Sequence, residues 1–147
     1  MPLHIIETHL VDILKNKLKV LDLNVDLVIG IGRGGLIPAV YAAYKLNVPL
    51  THMGIKSYDK HQQTYHAEIT QHPVINHLKH SKILIIDDVN DTGFTFKYVE
   101  NYLTTILGIP KTDLTFLSVY GKHKTTYKSE VCEYVDDDCW IIFPWDE

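Results

Sequence analysis

Residues 83–95 read Ile-Leu-Ile-Ile-Asp-Asp-Val-Asn-Asp-Thr-Gly-Phe-Thr, and their character changes twice. Ile83 to Ile86 is a short apolar run rich in β-branched residues, too brief for a buried helix, and predicts a strand buried on both faces. Asp87 and Asp88 stand where that strand must surface. Asp91-Thr92-Gly93 then gives a turn and helix-start signal. Phe96, Val99, Leu103 and Ile106 follow at helical spacing up to Gly108, with Pro110 just beyond as a stop. The order predicted is strand, acidic lip, tight turn, helix.

Such an arrangement suits an anionic sugar. First-turn amides of a helix, with the hydroxyls of Thr92 and Thr95, aim unsatisfied donors at one spot, and the helix dipole favours a phosphate there. Carboxylates a few residues upstream can accept from a pair of sugar hydroxyls, or hold Mg²⁺ through oxygen and water ligands. Two other readings fail. A nucleotide-binding P-loop needs Gly-x-x-x-x-Gly-Lys-Ser/Thr, which occurs nowhere in the chain, and an EF-hand starting at Asp88 would place Val99 where a bidentate Glu is required. A helix merely capped by Asp91 or Thr92 would leave three acids clustered at a strand end unexplained.

Outward from this stretch, residues 5–18 place Ile5, Ile6, His9, Leu10, Ile13, Leu14 and Leu18 on one helical face. Leu27 to Ile31 predicts a buried strand running into Gly32-Arg33-Gly34-Gly35, and Leu36 to Leu46 a helix with Pro38 in its first turn. Glycines let backbone approach a phosphate closely, and Arg33 adds a planar donor fork, although a tight turn with a surface arginine reads the same way. Leu50 to Ile55 predicts a third strand ending at Lys56-Ser57-Tyr58. From Asp59 to Gln71 the chain is polar and aromatic without a clear period, as a mobile loop would be. Residues 72–81 cross over to the central strand. Leu114 to Tyr120 predicts another strand ending at Gly121-Lys122-His123. The tail, Asp136 to Asp146, reads as an acidic turn and an aromatic extended segment whose Trp140 and Trp145 suit a core, an interface or a ligand platform. Strands alternating with helices over short connections imply an α/β fold with a Rossmann-like, parallel, right-handed sheet. The loops at Gly32, Lys56, Asp87 and Lys122 then share the carboxyl edge of that sheet, where open α/β sheets bind ligands.

With 147 residues, 46% hydrophobic and 22% charged, residues 1–147 are expected to form one domain. A formal net charge of -4 and no basic block argue against a nucleic-acid surface. Glu7 and Asp12 are foreign to a secretory signal, and Arg33 interrupts the longest apolar region short of a membrane span, so no integral membrane segment and a cytoplasmic location are expected. Cys132 and Cys139 are expected to be reduced. The nine histidines include no zinc signature.

The 83–95 stretch closely resembles the phosphoribosyl-pyrophosphate (PRPP) motif of type I phosphoribosyltransferases: a hydrophobic strand, two acids, two further residues and Asp-Thr-Gly-x-Thr. Asn90 and Phe94 depart from the commonest residues, at variable positions. Arg33-Gly34-Gly35 is similar to the family's pyrophosphate loop. Lys56-Ser57-Tyr58 matches the opening of the lid in hypoxanthine-guanine enzymes, although no arginine lies between Lys56 and Lys79 as xanthine-guanine enzymes tend to have. Trp-Ile-x-x-Pro-Trp-Asp at 140–146 is similar to the hood of the xanthine-guanine type. The resemblance implies transfer of phosphoribose from PRPP to a 6-oxopurine, with Mg²⁺ as cofactor and a homodimer or homotetramer as the assembly. It implies that Asp87 and Asp88 hold the ribose hydroxyls and that Asp91, Thr92, Gly93, Phe94 and Thr95 wrap the 5′-phosphate. Asp91 becomes the general base at purine N7. Arg33, Gly34 and Lys56 meet PRPP, Lys122 meets the 6-oxo group, Trp140 stacks on the ring and Ile141 offers backbone contacts. Asp88 and Asp146 approach the metal. Two alternatives stay open: a non-catalytic PRPP or nucleotide sensor of the same fold, and a phosphoribosyltransferase for another base.

Overall fold

The structure, a computed structural model, describes residues 2–60, 64–77 and 79–146. Strands β1 (Pro2–His4), β2 (Leu27–Gly32), β3 (Leu50–Lys60), β4 (Thr64–Gln71), β5 (Ile83–Asn90), β6 (Leu114–Gly121), β7 (Glu130–Tyr134) and β8 (Trp140–Ile142) accompany helices α1 (Glu7–Leu21), α2 (Leu36–Leu46) and α3 (Phe94–Asn101). Six strands form one sheet in the order β4-β3-β2-β5-β6-β7. Every pairing in it is parallel except β3 with β4.

The continuous apolar runs are explained by what covers them. Leu27, Ile29, Ile31, Ile83 and Ile85 face the side closed by Phe96, Val99 and Leu103 of the α3 segment. Val28, Leu84 and Ile86 face the other side, against Leu14 and Leu18 of α1 and Ala39, Ala42 and Ala43 of α2. Successive side chains of β2 and β5 therefore enter different cores, and neither strand can alternate with polar residues. The α/β, Rossmann-like sheet expected from the sequence is the one observed.

Three elements differ from expectation. The helix from Phe96 does not run regularly to Gly108: α3 ends at Asn101 and a π-helical turn covers Tyr102–Ile106. The wider turn shifts the register, so Leu103 stays buried while Ile106 is 66% exposed. The segment 59–71, expected as a mobile loop, is largely a hairpin in which β4 pairs antiparallel with β3. On β4, Ala67 and Ile69 are partly buried and His66, Glu68 and Thr70 exposed, an alternation too short to stand out in the sequence. Residues 61–63 of that segment lie outside the described residues. Finally, the carboxyl-terminal hood is not built by the tail alone. β8 pairs parallel with β1, Leu3 in register with Ile141, and the Ile5 amide donates to the Ile142 carbonyl at 2.9 Å.

Candidate active site

β5 continues past its apolar run, pairing Asp87 with Ser118, Val89 with Tyr120 and Asn90 with Gly121. Asp87 and Asp88 are thus held on strand backbone. The Asp88 amide donates to Asp87 Oδ1 and the Val89 amide to Asp88 Oδ1, both at 2.8 Å. The chain then turns at Gly93, whose φ of 90° is in the left-handed region that favours glycine. The Phe94 amide donates to Thr92 Oγ1 at 3.3 Å, and the Lys97 amide to the Gly93 carbonyl at 3.0 Å. Helix geometry leaves the amides before Lys97 without an intrahelical acceptor, and they close a cleft lined by Asp87, Asp91, Thr92, Gly93, Phe94 and Thr95.

The connection from β6 to β7 is strapped onto this turn. Asn90, 4% exposed, donates through Nδ2 to the Tyr127 carbonyl (2.9 Å) and Ser129 Oγ (3.1 Å), while Oδ1 accepts from Thr125 Oγ1 (2.9 Å). The Thr126 amide and hydroxyl both donate to the Thr92 carbonyl, at 2.9 and 3.0 Å. This strap carries two lysines to one acid: Lys122 Nζ stands 3.6 Å from Asp91 Oδ2, and Lys124 Nζ 3.1 Å from Asp91 Oδ1. Lys122 is only 6% exposed.

Two further clefts adjoin. One is walled by Asp88, Asp91 and Lys122 on the sheet edge and by Cys139, Trp140, Ile141, Phe143 and Asp146 of the tail. Within that tail Phe143 is buried, Trp145 stacks on it with centroids 4.7 Å apart, and Trp140 is left 73% exposed. Asp146 turns back so that Oδ2 accepts from the Phe143 amide at 2.9 Å. The other cleft is lined by Arg33, Gly34, Ile37, Asp88, Trp145 and Asp146. A Cβ at Gly34 would run into the Asp88 carboxylate, which would have to move. The Gly32–Arg33 peptide is cis.

Burial and charge act together on the lip. Burial, and then the charge of Asp88, holds the Asp87 carboxyl well above the ordinary aspartate range, and burial pushes Asp88 up as well. A carboxyl with a raised folded-state pKa contributes stability below its unfolded value and loses it as pH rises through the raised one. The ligand-free protein should therefore lose stability as pH climbs above the ordinary aspartate range. Asp87→Asn, which keeps the acceptor for the Asp88 amide, should raise the Tm at neutral pH and flatten that slope. Calorimetry of both proteins across a pH series checks this, and an unchanged slope contradicts it.

The structure distributes the expected residues over these clefts as follows. Asp87, Asp91, Thr92, Gly93, Phe94 and Thr95 line the turn cleft; Asp88, Asp91, Lys122, Trp140, Ile141 and Asp146 line the hood cleft; Arg33, Gly34, Asp88 and Asp146 line the third. Lys56 lines none of these three. It stands on β3 in register with Glu68, just beyond Gly54, the partner of Gly32. Ser57 and Tyr58 continue β3. Sequence reasoning missed Lys124 and the strap around Asn90. Both depend on contacts between segments far apart in the chain, and only the recurrence of lysine at 122 and 124 hinted at either.

The phosphoribosyl transferase domain family matches this chain over residues 3–146. A xanthine-guanine phosphoribosyltransferase of Chromohalobacter salexigens is 36% identical over 127 residues, covering 81% of this chain and 67% of that protein. The enzyme of that name from Nitratidesulfovibrio vulgaris is 34% identical over 127 residues, covering 81% and 68%. Among solved structures, a purine phosphoribosyltransferase from Pyrococcus horikoshii superposes with a TM-score of 0.78 at 29% identity, covering 99% of this chain and 95% of that one. With the motif, the sheet order and these likenesses in agreement, the chain belongs to the phosphoribosyl transferase domain family.

Proposed function

We propose that residues 1–147 act as one catalytic domain that transfers the 5-phosphoribosyl group from PRPP to a 6-oxopurine, giving the nucleoside 5′-monophosphate and pyrophosphate in purine salvage. The observation that carries this reading is the continuity of the three clefts. Asp91 is common to the turn and hood clefts, and Asp88 and Asp146 are common to the hood cleft and the one at Arg33. A substrate with phosphate at one end, ribose in the middle and pyrophosphate at the other meets donors, carboxylates and donors in that order.

In this reading Asp91, Thr92, Gly93, Phe94 and Thr95 seat the 5′-phosphate, Asp87 and Asp88 accept from the ribose hydroxyls, and Arg33 and Gly34 meet the pyrophosphate, with Lys56 approaching PRPP from the hairpin side. Trp140 is the aromatic face available for stacking, since Trp145 is engaged with Phe143. Ile141 offers backbone groups, and Lys122 donates to the 6-oxo group. Asp91 accepts the N7 proton as N9 bonds to C1′ and the C1′–O bond to pyrophosphate breaks with its electron pair. Donors fixed around the departing pyrophosphate stabilise charge where it develops.

The residues fit Mg²⁺. Asp88 and Asp146 present hard oxygen donors on a shared wall, and the negative charge of Asp146 contributes to the raised pKa of Asp88, a repulsion that a divalent cation relieves. No group of three or more His, Cys, Asp or Glu among the described residues could cage a metal. One or two carboxylates with substrate oxygens and water is how Mg²⁺ is usually held at phosphate sites. Bound there, the ion would neutralise charge on the leaving pyrophosphate. Cys132 and Cys139, both free thiols, accord with the reducing cytoplasm as the workplace.

Purified protein with PRPP, Mg²⁺ and a panel of bases tests the assignment: pyrophosphate should be released with guanine, hypoxanthine or xanthine. PRPP binding without turnover of any base would make the protein a sensor, and turnover of adenine or a pyrimidine alone would move it to another acceptor. Lys122→Ala should raise the KM for the 6-oxopurine by roughly 5- to 150-fold, the scale of a buried partner lost at about 1 to 3 kcal/mol, and that for PRPP far less. Equal effects on both substrates would remove Lys122 from base recognition.

A further inference from the structure

Asp91 is bracketed. Its two carboxylate oxygens are each approached by a different lysine, Oδ2 by Lys122 and Oδ1 by Lys124, and the two lysines are not equivalent. Lys122 lines the hood cleft with Trp140 and Ile141; Lys124 does not. Lys124 is also more than a surface side chain that happens to point inward. Its amide donates to Asp137 Oδ1 at 3.2 Å, the Thr125 amide beside it closes a turn on the Lys122 carbonyl at 3.3 Å, and the Lys122 amide is tied to the Asn90 carbonyl at 3.1 Å. The backbone carrying Lys124 is therefore fixed both to the strand that holds the acids and to the acidic turn before the hood.

We propose that Lys124 is a positioning residue for the reaction: it holds the Asp91 carboxylate in place when the entering base draws Lys122 away. The inference rests on the roles of Asp91 and Lys122 proposed above. In the ligand-free protein Lys122 Nζ serves Asp91. A base whose oxo group takes that ammonium leaves Oδ2 without its partner, and a carboxylate held at one oxygen by nothing else is free to rotate about its Cβ–Cγ bond. Lys124 on Oδ1 blocks that rotation and leaves Oδ2 open towards the cleft where the proton is to be accepted. Pairing and release then happen at different oxygens, so the acid keeps a fixed orientation throughout. A loosely held general base loses rate through misplacement alone.

The experiment is a double-mutant cycle between Lys124→Met and Asp91→Asn, read by single-turnover kinetics at saturating PRPP and base, with thermal unfolding in parallel. Lys124→Met should slow the chemical step about tenfold or more, the scale on which a misplaced general base loses rate. The KM for PRPP and the Tm should stay at their wild-type values, whereas a merely structural lysine would shift Tm. Lys124→Arg should recover most of the rate. In the Asp91→Asn background Lys124→Met should cost nothing further. A loss under about twofold, as for an ordinary exposed ion pair, overturns the proposal. So does the same loss in both backgrounds, since Lys124 would then act independently of Asp91. If Asp91→Asn itself turns over at the wild-type rate, the failure lies in the role given to Asp91, and the proposal falls with it.

Discussion

Asp91→Asn is expected to lower kcat by roughly 10²- to 10⁴-fold, or about 3 to 5.5 kcal/mol of barrier, because it removes the proposed proton acceptor and changes little else. The structure makes this variant a clean one. The cap of α3 is Gly93, with no side-chain capping bond, so Asp91 does no work for the helix. Among the described residues it pairs with two lysines, at 3.6 and 3.1 Å, and Asn keeps an oxygen for one of them. Asp91 and Lys124 are both substantially exposed, and pairs of that kind contribute about 0 to 1 kcal/mol to stability. Tm and PRPP affinity should therefore hardly move while turnover collapses. A variant within a few fold of wild type in single-turnover kinetics at saturating substrates would end the assignment of Asp91 as base.

Gly93→Val should damage binding and stability together. A side chain at φ 90° is strained by about 1 to 3 kcal/mol before any contact is counted. A Cβ there would also meet the Tyr127 backbone nitrogen at 2.6 Å and Thr125 Oγ1 at 2.7 Å, the strap that carries the two lysines. Backbone cannot yield as a flexible side chain does, so the turn, the strap and the amides proposed to seat a phosphate must all shift. At roughly 2 to 4 °C per kcal/mol for a domain of this size, Tm should drop by several degrees. Isothermal titration with PRPP should show affinity largely lost. A folded Val variant with wild-type Tm and wild-type PRPP affinity would contradict the turn as described.

The contrast between these variants marks what was legible in the sequence. Ile83 to Ile86 declared itself because a strand covered on both faces has no place for a polar residue, and α2 was readable over Leu36–Leu46 because glycines bound its start and Pro38 fits its first turn. The acidic lip and the Thr-Gly turn were readable because their residues are neighbours in the chain. The contact between Gly93 and Tyr127 was not, nor were the Asn90 bonds to residues 125–129, since no local pattern encodes a hydrogen bond across 35 or more residues. β1 spans three residues, all exposed, and β7 is partly buried without alternation, so neither carried a period to detect. The pairing of Lys124 with Asp91 likewise exists only once the strap is folded.

The parallel pairing of Pro2–His4 with Trp140–Ile142 also sets an order of assembly during synthesis. β2, β3 and β5 to β7 emerge in sequence, and each of β3, β5, β6 and β7 finds a sheet partner already made. β1 is made before the large sheet and must wait for β8, its parallel partner, which comes after it. Closing so long a span costs chain entropy that only a few hydrogen bonds return. A nascent chain can thus possess the Thr92-Gly93 turn and most of the sheet while the wall that Trp140 and Ile141 give the hood cleft is still unmade.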